Sequence, residues 1–365
     1  MHNRLYSLLV LRVFATFLVV FGHASSFFQA FLFTQWPQFV FIQNIAVVLF
    51  FCLSGYTIAW VCDQRQSGSA GGYSFSRFVF DRYMRLVIPL LPVLVLLAVV
   101  NLALYGARQP YAENFDLRTA VGNLLFLQRL ELVLPVLGQV TQLGIDSFST
   151  NRPLWTLGVE FWVYVLYAAF AFVSRSTLAA MGCVAIGLFA ALLLNESLVG
   201  ERGSGLPIVW MLGALLYHAL KHHAGFTLRR SLVLLPAWGL VAALMFVPEI
   251  WQATGSYSHL YNLLIFANFA FFVMLFPLNG GESRPFDAVV NFLGNFAYTT
   301  YLVHYPVMAM LRAKRILPPE SAWSVIIAVM LCYAVAYVVS LPFEQRYKPI
   351  RDWIWRTAVV PFKRA

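Results

Sequence analysis

Long apolar runs recur along the whole chain, and short polar segments separate them. Each run is close to the ~20 residues that a helix needs to cross the hydrocarbon core of a bilayer. The pattern therefore predicts an all-α membrane protein with about ten transmembrane helices. The ten predicted spans are residues 5–31, 39–62, 86–105, 154–173, 177–194, 205–220, 231–247, 258–277, 290–311 and 322–343.

The composition agrees with this class. Of the 365 residues, 61% are hydrophobic and 11% are charged, whereas a soluble domain carries roughly a quarter charged residues. The net charge of +10 comes from short loops and the C-terminus, which is where cytoplasmic basic residues lie in membrane proteins. We therefore expect these basic residues to lie beside the lipid bilayer, and we expect no nucleic-acid partner.

Charge also orients the predicted spans. With ten spans, two basic loops and the C-terminal tail share one side, which places both termini in the cytoplasm. An eleventh apolar stretch, Val121 to Gly138, contains Arg129 and Glu131, and counting it as a span would move the tail outside. We predict one transmembrane domain over residues 1–345, a basic tail over 346–365, and a partly helical external element over about 106–153. The basic loop that holds Arg312 and Lys314 is the exception, since it falls outside.

Two ionisable residues, which are energetically unfavourable in hydrocarbon, lie in the first predicted span. Arg12 and His23 are eleven positions apart, which places them on one helical face about 16 Å apart. Ionisable residues at membrane depth are functional candidates by default. The alternatives are that Arg12 extends to the inner interface and that His23 is a core histidine bonded to a carbonyl.

Three titratable residues from three predicted spans lie at a similar depth. His23, Glu160 and His304 each fall about 10–13 Å below the outer surface. A carboxylate beside an imidazole can select its tautomer and raise its basicity, as general-base chemistry requires. Helix geometry predicts the common depth only, and it leaves open whether the three faces converge.

A basic cluster lies at the opposite side of the predicted membrane. Arg82 and Arg85 are three residues apart on one helix face, with Arg77 further back along the same helix. Together with Arg12 they can clamp a polyanion by bidentate contacts, although membrane anchoring alone also explains such a run. Between the two regions, Ser54 and Gly55 permit close approach of a ligand or, more commonly, of another helix.

Five stretches of this chain, taken together, resemble the acyltransferase 3 family of bacterial integral-membrane acyltransferases. The resemblance covers about residues 5–343 and depends on the order of the stretches, since none is specific alone. They are LRVFATFLVVFGH, LFFCLSGY, RYMRLVIP, PLWTLGVEFWVY and YTTYLVHYP. Three residues, Val48, Tyr56 and Thr156, depart from the common pattern.

The resemblance implies a reaction and a location. A cytoplasmic acyl-CoA, usually acetyl-CoA, donates its acyl group to a hydroxyl of an extracytoplasmic glycan or lipid-linked saccharide at the bacterial inner membrane, and no metal is implied. The expected catalytic residues are His23, Glu160 and His304. The donor is expected at Arg12, Arg77, Arg82, Arg85, Ser54 and Gly55, and the acceptor at Trp155 and Tyr301.

Two other functional classes fit the composition. A secondary transporter also carries buried His, Glu and Arg, but such transporters more often show internal repeats, and none is visible here. A structural or lipid-scrambling membrane protein would tolerate neutralisation of Arg12, Arg82 and Arg85 together.

Overall fold

The computed structural model of the chain is built from helices. It describes residues 2–35, 37–68, 73–105, 114–130, 145–173, 205–221, 228–248, 250, 259–276 and 285–359. Helix accounts for 82% of this part of the chain, which contains no β-strand and only one isolated bridge between Gln128 and Ile145. The predicted all-helical class is confirmed.

The described residues form helices of very different lengths. Five segments are long and apolar enough to cross a membrane: Tyr6–Phe28, Ile42–Ser67, Phe75–Ala103, Arg152–Phe172 and Ala322–Ser340. The helices in chain order are α1 (His2–Phe28), α2 (Ile42–Gly68), α3 (Phe75–Tyr105), α4 (Leu117–Leu124), α5 (Trp155–Val173), α6 (Leu206–Leu220), α7 (Leu228–Leu244), α8 (His259–Leu275), α9 (Pro285–Gly294), α10 (Ala297–Ala313), α11 (Ala322–Ser340) and α12 (Tyr347–Ile354).

Two predicted segments differ from the simple pattern. The predicted span over 290–311 is divided, because α9 ends at Gly294 and α10 begins at Ala297. The stretch from Val121 begins in α4, but Phe126 and Arg129 then adopt φ values of 56° and 53°, which a right-handed helix excludes. The predicted span 177–194 lies outside the described residues. The number of spans and their orientation stay predictions.

The chain divides into two compact units. The first unit comprises Met1–Tyr73, Val173–Gly294 and Pro318–Val325, and it contains α1, α2 and α6 to α9. The second comprises Ser74–Phe172, Asn295–Leu317 and Ile326–Ala365, and it contains α3, α4, α5, α10, most of α11 and α12.

Small residues allow α2 and α6 of the first unit to cross at close range. A Cβ atom on Gly55 would lie 1.8 Å from the Trp210 carbonyl oxygen, and one on Gly213 would lie 2.3 Å from the Cys52 carbonyl oxygen. Each helix therefore presents a glycine where the backbone of the other passes. This reciprocal arrangement is typical of helix pairs in membranes, where packing replaces the hydrophobic effect as the source of association.

In the second unit, α5 packs against the irregular segment that follows α4. The Trp162 indole donates a hydrogen bond to the Phe126 carbonyl, with Nε1 and O separated by 2.8 Å. The Phe126 ring itself is fully buried and contacts the rings of Tyr83 and Phe161. The predicted external element is thus partly helical in its described portions and packs on a long apolar helix.

Candidate functional site

One uninterrupted helix, α1, carries both Arg12 and His23, so the spacing that predicts a shared face is retained. Nδ1 of the half-buried His23 lies 3.0 Å from the carbonyl oxygen of Val19, one turn earlier. Since a carbonyl oxygen only accepts, Nδ1 carries the proton of the neutral ring. The basic lone pair of His23 is therefore on Nε2, the nitrogen farther from the backbone.

The hydrogen bond of His23 is the one expected of a core histidine, and it also serves a catalytic one. A catalytic imidazole needs a defined tautomer, and a backbone carbonyl on Nδ1 is a common way to define it. The α1 backbone continues past Arg12, whose carbonyl oxygen accepts from Thr16 Oγ1 at 2.9 Å.

Ser54 and Gly55 lie where α2 crosses α6. Ser54 is buried, and the space that a side chain on Gly55 would need is occupied by the Trp210 backbone. The helix-packing interpretation of this pair thus has a direct geometric basis. A role in donor binding stays a prediction.

In the second unit, Arg85 pairs with a buried carboxylate that the sequence patterns did not single out. Its guanidinium lies 2.9 Å from Glu344 Oε1, and the Glu344 side chain is only 1% exposed. The other oxygen, Oε2, accepts from both the backbone nitrogen and the hydroxyl of Thr299 at 2.7 Å. Glu344 therefore joins α3 to the first turn of α10, whose N-cap Phe296 provides no side-chain cap.

Arg77 takes part in a second ionic cluster. It lies 3.0 Å from Asp81 and 3.1 Å from Asp352 of α12, and its guanidinium stacks over the Trp355 ring at 4.3 Å. Arg351 of α12 contacts the same two carboxylates, at 3.6 Å and 2.8 Å. The cluster fastens the start of the predicted basic tail to the start of α3.

Arg82 differs from its two neighbours. Within the described part of the chain it has no carboxylate partner, and its buried Nε atom has no hydrogen-bond acceptor there. Its guanidinium lies 5.6 Å from the centre of the Phe78 ring. Of the three predicted basic residues on α3, Arg82 is therefore the one whose charge the described residues leave without an acidic counterpart.

Tyr301 and the start of α5 meet in the second unit. The Tyr301 hydroxyl lies 2.9 Å from the Pro153 carbonyl oxygen and 2.6 Å from Thr156 Oγ1. Trp155, next in sequence to Thr156, is half-buried. The structure thus brings Tyr301 next to Thr156, a residue that the sequence marked only as a departure from the family pattern.

His304 and Glu160 also have local partners. Nδ1 of the fully buried His304 donates to the Tyr301 carbonyl oxygen at 2.7 Å, so His304 has the same neutral tautomer as His23. Glu160 accepts a hydrogen bond from Tyr164 and interacts electrostatically with Tyr298 and Tyr301.

The predicted site residues divide between the units. The first unit holds Arg12, His23, Ser54 and Gly55, and the second holds the α3 arginines, Trp155, Glu160, Tyr301 and His304. The convergence of His23 with Glu160 and His304 stays a prediction. Among the described residues, no group of three or more His, Cys, Asp and Glu side chains is arranged to hold a metal ion.

Sequence patterns missed Glu344 and Asn151. Both lie at the boundaries of predicted spans, where polar residues are common and carry little signal. Asn151 donates to the backbone of α10, from Nδ2 to the Leu302 carbonyl oxygen at 2.8 Å. Pro306, which removes a helical donor from that carbonyl, was the available signal.

Comparison with known families covers nearly the whole chain. A family model for acyltransferase 3, described as an acyltransferase domain, matches residues 5–343. No curated protein and no solved structure matches the chain. The match includes every predicted site residue of both units and confirms the resemblance that the five sequence stretches indicated.

Proposed function

Because the chain belongs to the acyltransferase 3 family, we propose that it transfers an acyl group from an acyl-CoA to a hydroxyl of a saccharide. The donor is cytoplasmic, with acetyl-CoA the expected form, and the acceptor is an extracytoplasmic glycan or a lipid-linked saccharide. The five long apolar helices support a multi-pass membrane location, which we assign to the bacterial inner membrane.

The observation that carries the proposal is the tautomer of His23. Its Nδ1 proton is donated to the Val19 carbonyl, so the unprotonated nitrogen of the neutral ring is Nε2. In the general-base form, Nε2 removes the proton of the acceptor hydroxyl as the oxygen attacks the thioester carbonyl. The carbon–sulfur bond then breaks, and the proton passes to the CoA thiolate.

A covalent form uses the same atom. Nε2 attacks the thioester carbonyl first, the carbon–sulfur bond breaks, and CoA leaves as its thiolate. The acceptor hydroxyl then attacks the acyl-imidazole, the carbon–nitrogen bond breaks, and the hydroxyl proton passes by way of solvent to the CoA thiolate. Both forms need an unprotonated Nε2, and both are compatible with the hydrogen bond on Nδ1. Glu160 and His304 are proposed to orient the reacting groups.

The donor phosphates are assigned to the basic residues on the cytoplasmic side. Arg82 is the strongest contributor, because the described residues leave its charge without a carboxylate. Arg12 is proposed to assist. Arg77 and Arg85 already pair with carboxylates, so their contribution to phosphate binding is expected to be smaller.

The test is acyl transfer by purified protein in proteoliposomes. Labelled acetyl-CoA is supplied on one side, a saccharide acceptor is supplied on the other, and covalent label on the saccharide is measured. We expect His23→Ala to abolish transfer and His218→Ala, a histidine of the same unit outside the predicted site, to retain it. Saccharide movement without covalent label would indicate a transporter, and full activity of His23→Ala would contradict the assignment of His23.

The two forms of the mechanism are separated without the acceptor. Label that stays on the protein after incubation with acetyl-CoA alone, and that is lost in His23→Ala, supports the covalent form. Absence of such label in an active preparation supports the general-base form.

A further inference from the structure

Helix α10 contains a proline that leaves one of its own carbonyl groups without a helical donor. In an α-helix the carbonyl of Leu302 accepts from the backbone nitrogen four residues later, which here belongs to Pro306. Proline has no N–H, so this bond is not made. In an apolar environment without water, an unpaired carbonyl is costly and must find another donor.

Asn151 supplies that donor from a distant part of the chain. Its side chain is fully buried, and Nδ2 lies 2.8 Å from the Leu302 carbonyl oxygen. The residue directly precedes the short turn Arg152–Leu154 that leads into α5. One amide group therefore joins the entry of α5 to the proline-interrupted turn of α10.

The orientation of the Asn151 amide is defined by chemistry. The reversed orientation would place Oδ1 against the Leu302 oxygen, two acceptors without a proton between them. In the observed orientation, buried Oδ1 has no hydrogen-bond partner among the described residues. An asparagine that leaves its oxygen unsatisfied is an expensive choice for a buried position, which indicates that the NH₂ group is what this position requires.

His304 lies inside the turn that Asn151 holds. It falls midway between Leu302 and Pro306, and its Nδ1 atom donates to the carbonyl of Tyr301. Both the direction of the imidazole and the placement of the Tyr301 hydroxyl therefore depend on the geometry of this turn. Displacements of about 1 Å at a catalytic group can lower a rate by about 100-fold.

We propose that Asn151 is a positioning residue for His304: it replaces the backbone donor that Pro306 removes and thereby holds the turn that carries the imidazole. The role of His304 in acyl transfer rests on the proposed function. The hydrogen bond and its effect on the α10 backbone do not.

The experiment combines a variant that removes the Asn151 donor with a second substitution that restores a backbone donor. Asn151→Leu keeps a similar volume and removes the donor, so we expect kcat to fall by roughly 10- to 100-fold, with the KM for acetyl-CoA nearly unchanged. Pro306→Ala returns a backbone N–H to α10. Combined with Asn151→Leu, it should recover most of the lost kcat, because the helix then satisfies the Leu302 carbonyl by itself. Multiplied losses in the double variant would overturn the proposal.

A matched control removes a buried asparagine elsewhere in the second unit. Asn101 is also buried and donates to a carbonyl of its own helix, Leu97, at 2.8 Å. We expect Asn101→Leu to retain kcat within about twofold, because this hydrogen bond joins two residues of one helix and neither is a predicted site residue. An equal loss of kcat in both asparagine variants would show a general packing effect and would contradict positioning.

Backbone exchange tests the contact independently of activity. In Asn151→Leu, amide hydrogen exchange over residues 302–308 should accelerate, and the added Pro306→Ala should restore protection. If the parent shows no acyl transfer with any saccharide, the proposed function fails while this measurement still decides the contact. Unchanged exchange in Asn151→Leu would overturn the positioning role even in a fully active enzyme.

Discussion

Two helix contacts, one in each unit, are built in different ways. In the first unit, α2 and α6 approach so closely that a glycine of each faces the backbone of the other, Gly55 against Trp210 and Gly213 against Cys52. In the second, buried side chains cross between segments to pair charges and backbone groups, as Glu344 does with Arg85 and Thr299.

The difference follows from what each sequence leaves unsatisfied. At Gly55, α2 offers only a space beside its backbone, and another helix can fill this space by packing. Helix α10 begins without a side-chain cap and contains Pro306. The N–H groups of its first turn and the Leu302 carbonyl therefore have no hydrogen-bond partner within the helix. Two polar side chains from other segments, Glu344 and Asn151, supply those partners. Helix α10 is therefore expected to respond to charge and hydrogen-bond changes, and the α2–α6 contact at Gly55 to changes in volume.

The largest effect is expected at the helix crossing of the first unit. Gly55→Ala places a Cβ within 1.8 Å of a backbone oxygen, so α2 and α6 must separate, at a cost of about 3 kcal/mol or more. Thermal unfolding in detergent should show the loss. Gly239→Ala in α7, where no described atom beyond the neighbouring helix backbone lies within 4 Å of the new Cβ, is the control and should be neutral or slightly stabilising, by up to about 1 kcal/mol. Equal stability of Gly55→Ala and Gly239→Ala would contradict the close approach of α2 and α6 at Gly55.

The next effect is expected at Glu344. Glu344→Gln removes the countercharge of Arg85, whose side chain is 25% exposed, and we expect a loss of about 2–3 kcal/mol in unfolding free energy, since removing one partner of a buried pair leaves the other uncompensated. The matched change Glu320→Gln, at an exposed position, should stay within about 0.5 kcal/mol. A second substitution, Arg85→Leu, should restore part of the loss, whereas strictly additive losses would argue against the pair.

A smaller effect is expected where Tyr301 meets the start of α5. Tyr301→Phe and Thr156→Val each remove one hydroxyl from the group around the Pro153 carbonyl, and each should cost about 1 kcal/mol. Because the two hydroxyls are in contact at 2.6 Å, the double variant should cost less than the sum of the singles. Additive values from equilibrium unfolding would show that the hydroxyls act separately.

The smallest effect is expected at the ionic cluster that holds α12. Burial alone would raise the pKa of Asp352, but hydrogen bonds and charge from Arg351 and Arg77 outweigh it and hold the pKa below its ordinary value. The stabilisation is therefore present above about pH 4 and is lost as the pH falls through the lowered pKa. The side chain is 40% exposed, so solvent and salt limit the contribution to less than about 1 kcal/mol.

The test of this cluster compares melting temperatures of the parent and Asp352→Asn. The parent should melt slightly higher between pH 5 and 7, and the two curves should meet below about pH 4. Raising the salt concentration should reduce the difference at neutral pH. A difference that grows as the pH falls would have the wrong sign for this carboxylate.

Local sequence properties were sufficient to predict the fold class of the chain, most of its helix positions and its family. Apolar runs of membrane length are visible without a fold, because the bilayer requires every spanning helix to satisfy its own backbone. The spacing of Arg12 and His23 is equally local and depends only on the continuity of α1. The positive-inside rule, applied to the basic loops and the tail, argued against a span from Val121, and the left-handed residues Phe126 and Arg129 agree with that argument.

Contacts between distant segments could be learned only from the folded chain. Pro306 indicates that the Leu302 carbonyl lacks a helical donor, but nothing near it in sequence identifies Asn151 as the residue that replaces this donor. A small residue at Gly55 indicates a close approach, yet whether a ligand or the Trp210 backbone fills the space depends on how α6 packs. Arg77, Arg82 and Arg85 look alike in sequence, and the folded second unit separates them, because carboxylates from α12 and from the turn before it reach two of the three.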